Sequence, residues 1–178
     1  MIATPEVAGL ARRLGSSIYE ALLLGTLALV TGFILLPVTA PARSPGALLP
    51  ALPSTPARVT LLAVLVAVSG VYCTWLWSKG RRSLPMQTWR LRLELSSGGA
   101  PDVGRALARY AAWWIGPAAA LLGYLALRPT GHAGWSAILL GLPYAWALVD
   151  PERQFLHDRI AGTRLVRDRG TQARAAPT

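Results

Sequence analysis

Apolar residues in this chain do not alternate with polar ones; they arrive in long runs. The first runs roughly from Ser16 to Pro37 and the second from Val59 to Ser78. Each is about the twenty residues a helix needs to cross some 30 Å of hydrocarbon at 1.5 Å per residue. Two shorter runs follow, Tyr110 to Leu127 and Gly134 to Val149, joined by a turn rich in Pro and Gly, Arg128 to Ala133. The pattern predicts an all-α polytopic membrane helical bundle of four transmembrane helices, the last two forming a hairpin. Because these last runs have only 18 and 16 residues, near the lower limit for a crossing, a re-entrant hairpin is the alternative.

Composition agrees with a bilayer as solvent: of 178 residues, 53% are hydrophobic and 15% charged. The net charge of +10 could mark a nucleic-acid binder, yet the arginines are confined to stretches between the apolar runs, where lipid headgroups and topology account for them. The N-terminal segment, the loop 79–109 and the tail 150–178 together carry fifteen Lys and Arg, against three for the loop 38–58 and the turn after Leu127. Basic segments stay inside, so both termini are expected in the cytoplasm. Trp75, Trp77, Trp113, Trp114 and Trp135 stand at span ends, where amphipathic rings settle at headgroup level. The loop 38–58 is spaced with Pro41, Pro45, Pro50, Pro53 and Pro56, which disfavours helix and suggests an external, little-structured connection. No basic segment leads into a short apolar core with a small-residue cleavage site, so the first run reads as a retained span. The whole chain, 1–178, reads as one membrane domain.

Enzyme chemistry finds no support: no metal-ligand spacing, Cys–His pair, nucleophile turn or phosphate loop is visible, and no cofactor is implied. Cys73, the lone cysteine, lies in an apolar run and reads as a small hydrophobe. Arg82, Arg90 and Arg92 in the basic loop read as lipid headgroup contacts rather than nucleic-acid contacts, since Trp89 is the loop's one aromatic side chain before the third span.

The most informative residue is Glu20, a carboxyl in an otherwise uncharged run, where an unpaired ion would cost a few kcal/mol or more. Arg13 precedes it by two helical turns, on the same face. About 10 Å of rise separates them and Arg13 leans away, so a partner from another helix is expected for Glu20. The tail supplies charged groups: Gln154-Phe155-Leu156-His157-Asp158-Arg159-Ile160-Ala161-Gly162-Thr163 follows the last span directly.

Here the chain resembles the RDD family of bacterial membrane proteins, named for an arginine at the start of the first span, an aspartate within it and a second aspartate after the last span. Arg13, Glu20 and Asp158 fall at those positions, with glutamate in place of the first aspartate. The stretch Ser83 to Leu93 looks like the proteobacterial form of the family's segment after the second span, and His157 to Arg164 is the closest match. The resemblance implies a multi-pass protein of the bacterial cytoplasmic (inner) membrane, in a family usually described in terms of transport of unidentified ligands.

Two functions are then in view. One is a small transporter or cation/proton antiporter subunit, working as a homo-oligomer because four spans rarely enclose a route, with Arg13, Glu20 and Asp158 along the pathway and His157, Arg159 and Asp150 as a second tier. The other is a membrane scaffold or assembly partner in which the same residues form a static ion-pair lock.

Overall fold

The computed structural model describes residues 7–39 and 53–168. Most of the Pro-rich loop, and the tail beyond Asp168, lie outside them.

Three helices are long and apolar enough to cross a bilayer, Leu10–Thr39, Thr55–Trp77 and Val103–Thr130, and a shorter apolar one covers Ala133–Leu148. The all-α membrane bundle read from the sequence is therefore the fold. The first is α1 (Leu10–Thr39). The second, α2 (Thr55–Trp77), starts at Ser54, whose hydroxyl accepts the Ala57 N–H at 3.3 Å, with Pro56 in the first turn where no donor is needed. It stops where Lys79 and Gly80 turn left-handed at φ 55° and 73°.

The third crossing starts earlier than its apolar run. Asp102 caps α4 (Val103–Trp113), accepting the Arg105 N–H at 2.7 Å, so Arg105 and Arg109, counted with the loop from sequence, are helical. Pro117 cannot donate to the Trp113 carbonyl, and the rod breaks at Trp114 before continuing as α5 (Ile115–Leu127). The shorter apolar segment is a 3₁₀ helix over Ala133–Gly141, the short α6 (Leu142–Ala145) and another 3₁₀ turn at Trp146–Leu148. At about 2.0 Å rise per 3₁₀ residue, this short segment reaches about 30 Å, the thickness of the hydrocarbon layer.

Beyond the bundle the basic segments fold into a cap. The stretch after α2 forms α3 (Leu84–Thr88) and β1 (Leu91–Leu95); the tail forms α7 (Leu156–Ala161) and β2 (Thr163–Arg167). The strands pair antiparallel with Leu93 opposite Leu165, and Val7 bridges to Val166 on the far side of β2. Ala8 N–H reinforces this with a 3.1 Å bond to the Leu165 carbonyl. One small sheet thus gathers the N-terminal segment, the second loop and the tail at the same end of the bundle.

The buried apolar cluster also lies at that end, with Ala8, Cys73, Trp77, Met86, Leu91, Leu93, Ala106, Tyr110 and Leu165 packed together. The spans are the reverse: only 6%, 11% and 17% of their most apolar stretches are buried, and Leu29, Phe33 and Ile34 are more than two-thirds exposed. Lipid tails, as apolar as leucine, are the medium in which such surfaces are stable.

Within the hairpin, close approach depends on Gly116 and Gly123. A Cβ on Gly116 would sit 3.1 Å from the Leu140 carbonyl and from Pro143, and one on Gly123 would lie 2.8 Å from Leu139. Gly134 and Gly141 have nothing within 4 Å of such an atom. Gly116→Val is therefore expected to cost about 1–3 kcal/mol through overpacking. Gly134→Ala should leave the detergent melting temperature nearly unchanged; equal melting of the two variants would contradict this packing.

Candidate functional site: a buried charge cluster under the cap

The buried residues of α1 are Arg13, Ser16 and Glu20, spaced three and four apart on one stripe, as the periodicity anticipates. That stripe faces the start of the tail. Arg13 donates to the Arg153 carbonyl, and its guanidinium lies 5.1 Å from the centre of the Phe155 ring. Arg153 has a left-handed backbone at φ 52°, an uncommon conformation for a residue with a side chain. Arg13 and Glu20 form no ion pair with each other. Glu20 instead accepts the Trp77 indole N–H at 3.0 Å, so its partner does come from another helix, but it is a neutral one.

Trp77 is thus a correction to the view of its ring as a headgroup anchor. It is 4% exposed and turned inward, its face covered by the Arg109 guanidinium 4.3 Å away, whereas Trp75 and Trp135 are exposed. Trp113 points its N–H at the Tyr144 hydroxyl, 3.0 Å away.

Asp158 lies at the other end of the chain of contacts. Its Oδ1 meets Arg109 Nε at 2.6 Å, and the two side chains are 0% and 3% exposed. The six-residue α7 holds it there: Gly162, left-handed at φ 64°, ends the helix and sends its N–H back to the Arg159 carbonyl at 3.2 Å. Arg105 donates to the Ala161 carbonyl at 3.2 Å and fastens the same turn to α4. Burial alone would raise the Asp158 pKa, but Arg109, as counter-charge and hydrogen-bond donor, outweighs it and holds the carboxyl below its usual value.

Arg109 is the residue that sequence reasoning missed. It enters the topology count as one of seven basic residues between spans two and three, with nothing to separate it from Arg105. Only its place one turn before Trp113 on a helix beginning at Asp102 could have flagged it.

His157 stands beside Asp158, with Nε2 3.9 Å from Oδ2, boxed by Tyr144 and Phe155 at ring-centre distances of 5.8 and 5.6 Å. Desolvation, opposed by Asp158 and reinforced by Arg109 and Arg13, pushes its pKa down to about 4. It is neutral at physiological pH, so Arg13 and Arg109 are the cations of the cluster, facing Glu20, Asp158 and the buried Asp150, whose charge also reaches Arg13. Asp150 accepts the Glu152 and Gln154 N–H groups at 3.0 and 2.9 Å, and half-exposed Arg159 approaches Asp150 at 3.7 Å and Glu152 at 3.5 Å. Arg82 pairs with Asp168 and Arg92 with Glu94 at 2.5 Å, while Arg90 is exposed.

At the centre is a cavity of about 20 Å³, room for one water. Glu20, Cys73, Trp77, Arg109, Trp113, Tyr144 and His157 line it. Among the described residues, Arg109 Nη1 and His157 Nδ1 are buried without a hydrogen-bond partner. Toward the far side of the bundle a second, apolar cavity of about 270 Å³ shares Ala21, Leu24 and Trp113 with it and extends along α1 to Thr31. Among the described residues no three His, Cys, Asp or Glu side chains are grouped to hold a metal ion.

The family model described as RDD family matches residues 7–162. The chain belongs to the RDD family. The matched stretch runs from the residue that bridges to β2 through the glycine that ends α7, and so takes in every member of the charge cluster. Comparisons with curated proteins and with solved structures gave no match. In this RDD chain the first of the two acidic positions, Glu20, answers to an indole, and the second, Asp158, to an arginine.

Two predictions follow from these surroundings. Removing one partner of the Arg109–Asp158 pair leaves a buried charge uncompensated, so Asp158→Asn or Arg109→Gln should each cost about 3–5 kcal/mol. The double variant should cost less than the sum in a thermal-melt cycle, and strict additivity would contradict a direct pair. For His157, the folded pKa near 4 lies below the ordinary 6.5. The unfolded state therefore binds more protons between those values, and stability is lost as pH falls from about 6.5 to 4. The loss is about 3 kcal/mol and is absent above pH 6.5. His157→Gln should flatten that part of the melting-temperature profile.

Proposed function

We propose that this RDD protein is a multi-pass component of the bacterial inner membrane, with its cap and both termini in the cytoplasm. We assign it to proton-linked movement of a small cation, in which Glu20 is the proton-carrying carboxyl. The observation that carries the reading is the unequal treatment of the two acids. Asp158 is fully buried against Arg109, which suits a fixed lock between tail and bundle. Glu20, 8% exposed, accepts the Trp77 indole N–H, has Arg109 as a nearby counter-charge without a direct salt bridge to it, and borders a water-sized cavity shared with Arg109 and His157. A carboxyl so placed can exchange its charge for a proton without breaking an ion pair. The apolar cavity beyond Leu24 supports a route that opens along α1 and α2, and the sparse burial of the spans supports assembly with further copies or another membrane protein.

The second reading, a scaffold with a static lock, is favoured by the tightness of the cluster: the Arg109–Asp158 pair is 3% and 0% exposed, and the cavity beside it has room for one water. Purified protein in sealed liposomes separates the two. Sodium, potassium or lithium is offered across a pH step, and proton release is followed for wild type, Glu20→Gln and Asp158→Asn. Exchange requires a cation-dependent signal that Glu20→Gln abolishes while its melting temperature stays within a few degrees of wild type. Folded, inserted wild-type protein with no signal makes the protein a scaffold.

A further inference from the structure

A separate groove of about 540 Å³ lies between α2 and α4, outside the charge cluster, within the roughly 300–1,000 Å³ usual for ligand sites. Its walls are Val66, Gly70 and Val71 of α2 and Val103, Leu107 and Tyr110 of α4. Val71, Val103 and Leu107 are about half exposed or more, so the groove opens sideways. From Trp75 to Val66 it rises about 14 Å along α2, close to half the hydrocarbon thickness. A side-opening apolar slot of that depth has the dimensions of one leaflet.

The mouth has the opposite chemistry. Ser78, Lys79 and Arg81 line it, and no acidic side chain does. The neighbouring Asp102 is occupied with the Arg105 N–H. Arg81 is fixed before any ligand arrives: its guanidinium stacks on the Trp75 ring at 3.9 Å, and Nη1 donates to the Trp75 carbonyl at 3.1 Å and the Ser78 hydroxyl at 3.3 Å. Lys79, the chain's one lysine, is held at φ 55° by a 2.8 Å bond from its N–H to the Pro101 carbonyl. A left-handed non-glycine residue is a local cost, and here it belongs to a lysine that lines the same mouth as Arg81. Thr74 on the groove wall has a buried hydroxyl without a partner among the described residues.

We propose that this groove binds one anionic phospholipid, its acyl chain along Val66, Val71 and Leu107 and its phosphate between Lys79 and Arg81. A slot that is apolar at bilayer depth and basic at headgroup level recognises an anionic lipid over a zwitterionic one, and a whole lipid over a free anion. The basic residues of the cap sheet differ: Arg82 and Arg92 already face Asp168 and Glu94.

The full chain in detergent, titrated with phosphatidylglycerol, phosphatidylcholine or inorganic phosphate, is read by native mass spectrometry and thermal shift. Wild type should retain one phosphatidylglycerol at least tenfold more tightly than phosphatidylcholine and show no shift with phosphate alone. Lys79→Gln should reduce that preference to threefold or less, and Val71→Trp, which fills the slot from its exposed side, should abolish retention. Arg92→Gln, in the cap, should change nothing. Equal retention of both lipids, a phosphate shift matching that of lipid, or an Arg92→Gln loss equal to that of Lys79→Gln would each overturn the site.

Discussion

A carboxylate and a guanidinium taken out of water together set the terms for the rest of the molecule. Arg109 belongs to the helix that becomes the third crossing, Asp158 to a short helix in the tail, and their 2.6 Å contact joins the two with both side chains almost wholly out of water. Their contact requires α7 to dock on α4, which in turn brings β2 to β1 and the chain start to β2. A fully buried pair gains little over a well-packed apolar pair, so its value is positional: it is tolerable in one docking geometry and costly in any other.

That positional logic explains why the protein keeps its core where it does. In lipid the spans have no hydrophobic reason to leave their surroundings, and their apolar faces stay outward. Only the cap meets water on one side, so only there does burying Leu91, Leu93, Met86 and Leu165 provide a driving force of about 25 cal/mol per Å². The bundle is aligned from its capped end, by a small water-soluble core and a few charges, more than by packing along its length.

The run lengths of the sequence were enough to find three long apolar helices and a shorter fourth, and a heptad-like interval placed Arg13 and Glu20 on one stripe, because both depend on the helix repeat alone. What escaped was whatever depends on contact between distant segments. Arg109 looked like one basic loop residue among seven, because nothing local tells a buried guanidinium from a solvated one. Trp77 had the position of an interfacial anchor, and its inward turn follows from Glu20, fifty-seven residues earlier. Gly116 and Gly123 owe their role to Pro143, Leu140 and Leu139 across the hairpin, a contact between segments that Gly134 and Gly141 do not share. The 3₁₀ geometry that lengthens the short fourth segment was likewise invisible to hydropathy.

The threading of the small sheet carries a consequence for biogenesis. Its central strand, β2, is made after all four crossings, while both of its neighbours, Val7 and β1, are made earlier. During synthesis, which runs from the N-terminus, the first and second segments must wait with exposed edges, and Arg109 must wait without its counter-charge, until residues 158–167 emerge. A chain whose last hairpin fails to insert, or is cut short before β2, therefore keeps an open sheet edge and an arginine without its counter-charge, two marks that set it apart from the finished protein.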